Sequence, residues 1–193
     1  MIIAAFDQAV RRIGWAWGEP GSVPVRGLQE LPDYGDNTQR LGRYVREWAK
    51  NFLKGIGAER AYVENIFVRK HGFNMPVFMK QARVLLTLED AAELAGLDAD
   101  LGFWIVDISD WRREEYAGSR PTKGQGSESE AWKSMALAEC LRRNWLVEDH
   151  NIAEACLIWD YGCKHADKIY KVRAGVTKRR QQSAADEARR AAQ

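Results

Sequence analysis

Several features of soluble-enzyme and membrane-protein sequences are missing here. No stretch reaches the roughly 20 consecutive apolar residues that a membrane span requires. No basic segment followed by an apolar run and a cleavage site opens the chain, so no signal peptide and no membrane association are expected. The 193 residues contain only three cysteines, Cys140, Cys156 and Cys163, with no C-x-x-C pair. An odd, dispersed set of thiols does not make a disulfide scaffold and suits a reducing compartment. Cys156, Cys163 and His165 have a C-x6-C-x-H spacing that matches no standard zinc site. With three histidines in the chain, no Ser-His-Asp arrangement is apparent, and no phosphate-binding glycine loop is present. An excess of one charge is also lacking: 29 Lys and Arg face 27 Asp and Glu, a net charge of +2.

What is present is an ordinary globular mixture, 46% apolar and 29% charged, long enough for one domain with a real core. The small basic surplus is unevenly placed. From Lys168 onward, Lys168, Lys171, Arg173, Lys178, Arg179, Arg180, Arg189 and Arg190 face only Asp186 and Glu187. A folded domain over residues 1–170 and a basic tail over 171–193 are expected, the tail either following a polyanion or simply being solvated.

Periodicity orders the elements. IIAAFD and RIGWAWGE read as strands, with Gly14 and the Gly-Glu-Pro-Gly turn supporting a hairpin. VPVRGLQEL adds a third, antiparallel strand. Leu41, Val45, Trp48 and Phe52 share a face of a helix capped by Asn37 or Thr38. Ala61–Val63 is a short β-prone run. A long helix begins near Pro76, and LGFWIVDIS is a fifth strand. The stretch REEYAGSRPTKGQGSESE reads as a polar loop. Two helices follow, EAWKSMALAECLRRNW and the segment beginning EDHNIAEACLIW, with Asp149 a candidate N-cap of the second. The order β, β, β, α, β, α, β, α, α predicts an α/β fold, a mixed five-stranded sheet with helices packed on it.

Carboxylates recur at the ends of these elements. Asp7 closes the first apolar run and Glu64 closes Ala61–Val63. Asp7 alone could cap a turn or pair with an arginine such as Arg11 or Arg12. Glu154 lies in the first turns of the last helix, just after Asp149, His150 and Asn151. Asn151 and His150 stand three and four residues before it, so each can share its face. Such a helix, laid against the strand ends, brings its carboxylate to Asp7 and Glu64. Clustered carboxylates repel and call for a hard divalent cation, Mg²⁺ or Mn²⁺. Two such ions about 3.5–4 Å apart are the usual device for hydrolysing a phosphodiester.

These residues carry a resemblance. The order of Asp on the first strand, Glu on a middle strand and an acidic C-terminal helix resembles the RNase H-like fold. The closer likeness is to RuvC-type Holliday-junction resolvases of a phage or bacterial branch. IIAAFD with RIGWAW resembles the family's opening, VENIFV its second motif, MKQARVLL the helix that follows, and DHNIAEACLIW its last motif. The resemblance spans residue 1 to about residue 165. Three departures stand out. Gln8-Ala9 replaces Pro-Gly, Glu154 replaces the commoner Asp, and Asn151 stands where Asp or His is usual.

The resemblance implies helices on both faces of the sheet. It also implies a homodimer that nicks a four-way DNA junction symmetrically, with two Mg²⁺ ions per site for which Mn²⁺ may substitute. Asp7, Glu64, Glu154 and Asp149 would be catalytic, with Asp149, His150 or Asn151 completing the ligand set. The long helix from Pro76 to Ala95 would form the dimer surface. Phe67 would stack on an unpaired base, and Arg69, Lys70 and His71 would meet the backbone. Lys123 and Lys133 would hold a phosphate or steady the attacking water. Trp111, Arg112 and Arg113 would line the groove. A cytoplasmic location, in a bacterium or a phage-infected cell, is expected. Two other readings fit the same residues: a nuclease of this fold acting on RNA–DNA hybrids or other branched DNA, and a catalytically weak junction-binding protein.

Overall fold

The apolar opening becomes the central strand of the sheet. In a computed structural model, which describes residues 1–66, 74–121 and 127–166, the strands are β1 (Ile3–Gln8), β2 (Arg12–Gly18), β3 (Val25–Glu30), β4 (Arg60–Glu64) and β5 (Phe103–Val106). Their order across the sheet is β3-β2-β1-β4-β5. The first three form an antiparallel meander. β4 and β5 add in parallel through helical crossovers, which gives the expected mixed sheet. β1 is buried along its whole length, which is why its sequence runs apolar without alternation.

The helices are α1 (Thr38–Ile56), α2 (Met75–Ala95), α3 (Ile108–Glu115), α4 (Glu128–Arg142) and α5 (residues 150–166). Each start has a local cause. Asn37 and Asn74 cap α1 and α2 by accepting from the backbone N–H of Arg40 and Val77. Ser127 and Glu130 form a reciprocal capping box at α4. Gly57 and Gly96 end α1 and α2 in the left-handed conformation that glycine adopts without steric cost.

Strand alternation divides the sheet into two faces. Ala4, Phe6, Ile13, Ala61 and Val63 point to one side, where α1 and α2 bury Val45, Ala49, Leu53, Val84, Leu88 and Ala91 against them. α5 covers the opposite side. Its Gly162 sits against the ring of Tyr62, and Trp159 donates from Nε1 to the carbonyl of Gly18.

α3 departs from the sequence expectation. β5 stops at Val106, and Asp107 then caps a helix through residues read from sequence as strand end and loop. The chain falls into two units, Met1–Cys163 and Lys164–Gln193. Of the second, only residues 164–166 are described, as the end of α5. Among the described residues no helix is long and apolar enough to cross a membrane.

Candidate active site

Strand register decides which carboxylates meet. β1 and β4 pair in parallel with Phe6 opposite Val63, so the next step sets Asp7 beside Glu64. Both then leave the α1/α2 face and point toward α5. On the other side of β1, Asp7 pairs with Gly14 of β2. Gly14 has a packing role rather than a turn role. A Cβ there would lie 2.1 Å from the carbonyl oxygen of Asn151, so only glycine lets the start of α5 come this close to β2. Glu154 follows one turn later.

The three acids share one electrostatic environment. Asp7 is 4% exposed, and among the described residues its carboxylate takes no hydrogen bond or ion pair. Burial pushes its carboxyl well above the usual range, and the charges of Glu154 and Glu64 add to this. Glu64 is raised to about 7, first by burial and then by Glu154, against the opposing pull of Arg112 and of the Trp111 N–H.

Two neighbouring side chains from α3 engage the cluster. Trp111 donates from Nε1 to Glu64 Oε1 at 2.9 Å. Arg112 donates from Nη2 to Glu154 Oε1 at 2.8 Å. The Arg112 guanidinium lies 5.2 Å from the Trp111 ring centroid and 4.8 Å from that of Trp132. Trp111 is completely buried and lines no groove.

The remaining predicted residues separate by position. Asp149 stands at the head of α5, where its Oδ1 accepts from the backbone N–H of Asn151 and Ile152 and its Oδ2 pairs with Arg12 at 3.1 Å. Burial works against its ionisation. The capping N–H groups, His150 and Arg12 outweigh it and hold the carboxyl below its usual range. Asn151 is buried beside Gly14. Lys133 on α4 is close enough to His150 to depress its pKa, second to burial. Phe67, Arg69, Lys70, His71 and Lys123 lie outside the described residues, as does the basic tail.

Sequence reading missed Arg112 as a partner of the cluster and gave Gly14 the wrong task. The signal for α3 was present. Asp107 is a capping residue, and Trp111 and Glu115 stand four apart on its buried face. Gln8, one of the departures, donates from Nε2 to the Glu64 carbonyl and ties the ends of β1 and β4 together.

The backbone arrangement has solved counterparts. RuvC of Thermus thermophilus in complex with a Holliday junction substrate superposes with a TM-score of 0.63 at 13% identity, over 87% of this chain and 96% of that one. The chain has the RuvC-type RNase H-like fold. A second Thermus thermophilus RuvC structure gives a TM-score of 0.58 at 16% identity, over 87% and 96% of the two chains. The yeast mitochondrial Holliday junction resolvase Ydc2 gives 0.54 at 8% identity, over 91% and 83%. No family model and no curated protein matches the sequence. The likeness to RuvC therefore resides in the fold, with few shared residues.

The donor chemistry fits a hard divalent cation. Buried Asp7 and Glu154 and half-buried Glu64 offer oxygen ligands, and Asn151 can add an amide oxygen. The present rotamers do not close such a site: among the described residues, no three His, Cys, Asp or Glu side chains converge as metal ligands. Two of the acids are instead held by α3.

Proposed function

We propose that this chain is a divalent-metal-dependent endonuclease that resolves four-way DNA junctions as a homodimer, by symmetric paired nicks. The observation that carries the reading is the grouping of Asp7, Glu64 and Glu154 at one end of a RuvC-type sheet, where Asp7 is buried with no hydrogen bond or ion pair among the described residues and with Arg112 as the cation that offsets its charge. A buried charge of that kind is costly unless a ligand compensates it. The structures most like this one in fold include a RuvC holding a Holliday junction substrate and a Holliday junction resolvase.

Each residue has a distinct task. Asp7 is fixed by a fully buried central strand, so its position is set before substrate arrives. Glu64 is tied to the same frame through Gln8 and Trp111. Glu154 arrives from α5 and completes the acidic set, with Asp149 or Asn151 as the fourth donor. Mg²⁺ or Mn²⁺, two ions when bound, supplies activation of water and neutralises charge on the phosphate. Lys133, close to His150 at the head of α5, is proposed to hold a DNA phosphate or steady the attacking water. Phe67, Arg69, Lys70 and Lys123 are proposed to contact the junction arms and branch point.

The dimer surface proposed is α2. Met75, Met79 and Leu86 lie exposed at spacings of four and seven, along one stripe.

The test is cleavage of a labelled synthetic four-way junction beside a linear duplex and an RNA–DNA hybrid, with Mg²⁺ and with Mn²⁺. Paired nicks on the junction alone are expected. Asp7→Asn is expected to lower the rate at least about 10³-fold while junction affinity stays within about threefold. Cutting of the hybrid alone would move the activity to the RNase H side. Tight junction binding with no cutting under either ion would leave a binding protein.

A further inference from the structure

We propose that Arg112 is the resident counter-cation of the carboxylate cluster: its guanidinium holds Glu154 in the metal-free protein and must release it before a divalent cation can be held. This makes Arg112 a positioning residue that sets the affinity of the site for the ion. The inference rests on the metal-nuclease reading above and adds to it a competition within the chain.

Four observations support it. The Arg112–Glu154 pair is a close, largely buried contact, with the two side chains only 17% and 9% exposed. The same guanidinium lies near enough to Asp7 and Glu64 to offset the charge of both. It therefore acts on all three acids, as a bound cation would. The three acids do not converge as ligands while this contact is made. Finally, the guanidinium is supported but not locked. Two indole faces flank it, its Nε is buried with no acceptor, and Nη2 makes its hydrogen bond to Glu154. Stacking on Trp111 and Trp132 gives the side chain a place to remain when Glu154 turns away.

A fixed positive charge beside a metal site repels the ion and ties up one of its ligands. Removing the charge while keeping the side-chain bulk should therefore tighten metal binding. Mn²⁺ binding is measured by calorimetry on the full chain without DNA, for wild type, Arg112→Met and Arg112→Lys. Arg112→Met is expected to bind Mn²⁺ at least about tenfold tighter, and to melt lower than wild type without the ion. Arg112→Lys keeps the charge and is expected to stay within about threefold of wild type.

A second measurement needs no folded neutral variant. In wild type, the guanidinium NMR signal of Arg112, assigned by its loss in Arg112→Lys, is expected to change when Mg²⁺ is added. Wild-type or weaker Mn²⁺ affinity in Arg112→Met, or an unmoved guanidinium signal on saturation with Mg²⁺, would overturn the proposal while leaving the nuclease reading intact. Absence of Mn²⁺ binding in all three proteins would overturn both.

Discussion

At the residue scale, the acidic site stores unfavourable charge, and this has a pH signature. Burial and the neighbouring Glu154 raise the Glu64 carboxyl from 4.5 to about 7, and Asp7 is raised as well. Between these limits the folded protein holds more protons than the unfolded chain, so stability falls as pH rises. Without divalent ions, the melting temperature is expected to drop by several degrees from about pH 4.5 to pH 7 on account of these groups. Glu64→Gln should flatten that slope, because an amide does not titrate. Thermal melts of both proteins in chelator across this range check it; an equal slope in the variant would remove Glu64 as the cause. Saturating Mg²⁺ should also flatten the slope in wild type, since a bound cation favours the ionised carboxylates.

At the element scale, the position of α5 depends on one missing side chain. Gly14→Ala would drive a methyl into the Asn151 backbone, whose carbonyl carbon and oxygen lie 2.4 and 2.1 Å from the ideal Cβ. Backbone cannot give way as a side-chain tip can. The expected cost is about 3 kcal/mol, or roughly 6–12 °C in melting temperature for a chain of this size. Cleavage should fall more than stability alone explains, because Glu154 moves with the helix; cleavage assayed well below the variant's melting point separates the two effects. Arg143 joins α3, α4 and α5. From the C-terminal cap of α4 it pairs with Glu139 of that helix, with Glu115 at the end of α3 and with Asp160 on α5. The Glu115 side chain is fully buried. Arg143→Ala is expected to cost about 3–5 kcal/mol, measured by urea denaturation. Its effect on junction cleavage at low temperature should be small, since none of these three acids belongs to the Asp7 cluster.

At the scale of the whole molecule, the proposed activity needs two copies. A single site cuts one strand, whereas resolution requires two nicks placed symmetrically, which a twofold axis supplies. Met79→Glu with Leu86→Glu places two like charges on the exposed stripe of α2 while leaving its buried residues Val84, Leu88 and Ala91 untouched. Sedimentation should show the wild type as a dimer and the double variant as a monomer with unchanged helix content. On a junction held in a supercoiled plasmid, the variant should release singly nicked circles in place of linear product. A dimeric variant would show that α2 is not the contact.

The five strands, the central buried strand and the helices other than α3 were legible in the sequence, as was the placing of acids at element ends. These depend on local pattern: an unbroken apolar run, a 3.6-residue period, a capping residue, a carboxylate where an apolar strand ends. Asp7 and Glu64 could be named from their strand ends, and Glu154 from its place in the first turns of a C-terminal helix. The helix α3 was readable in principle from Asp107 and the four-residue spacing of Trp111 and Glu115, but the charged stretch around it obscured the pattern. Other features belonged to the tertiary structure alone. That Gly14 admits α5, that Asp149 spends its oxygens on capping and on Arg12, and that Arg112 reaches Glu154 from 42 residues away are matters of strand register and helix placement. Local sequence specifies which groups exist and which way their own element turns them. Which groups from distant elements share a pocket, and so which charges must be compensated, is settled only when the sheet and helices pack.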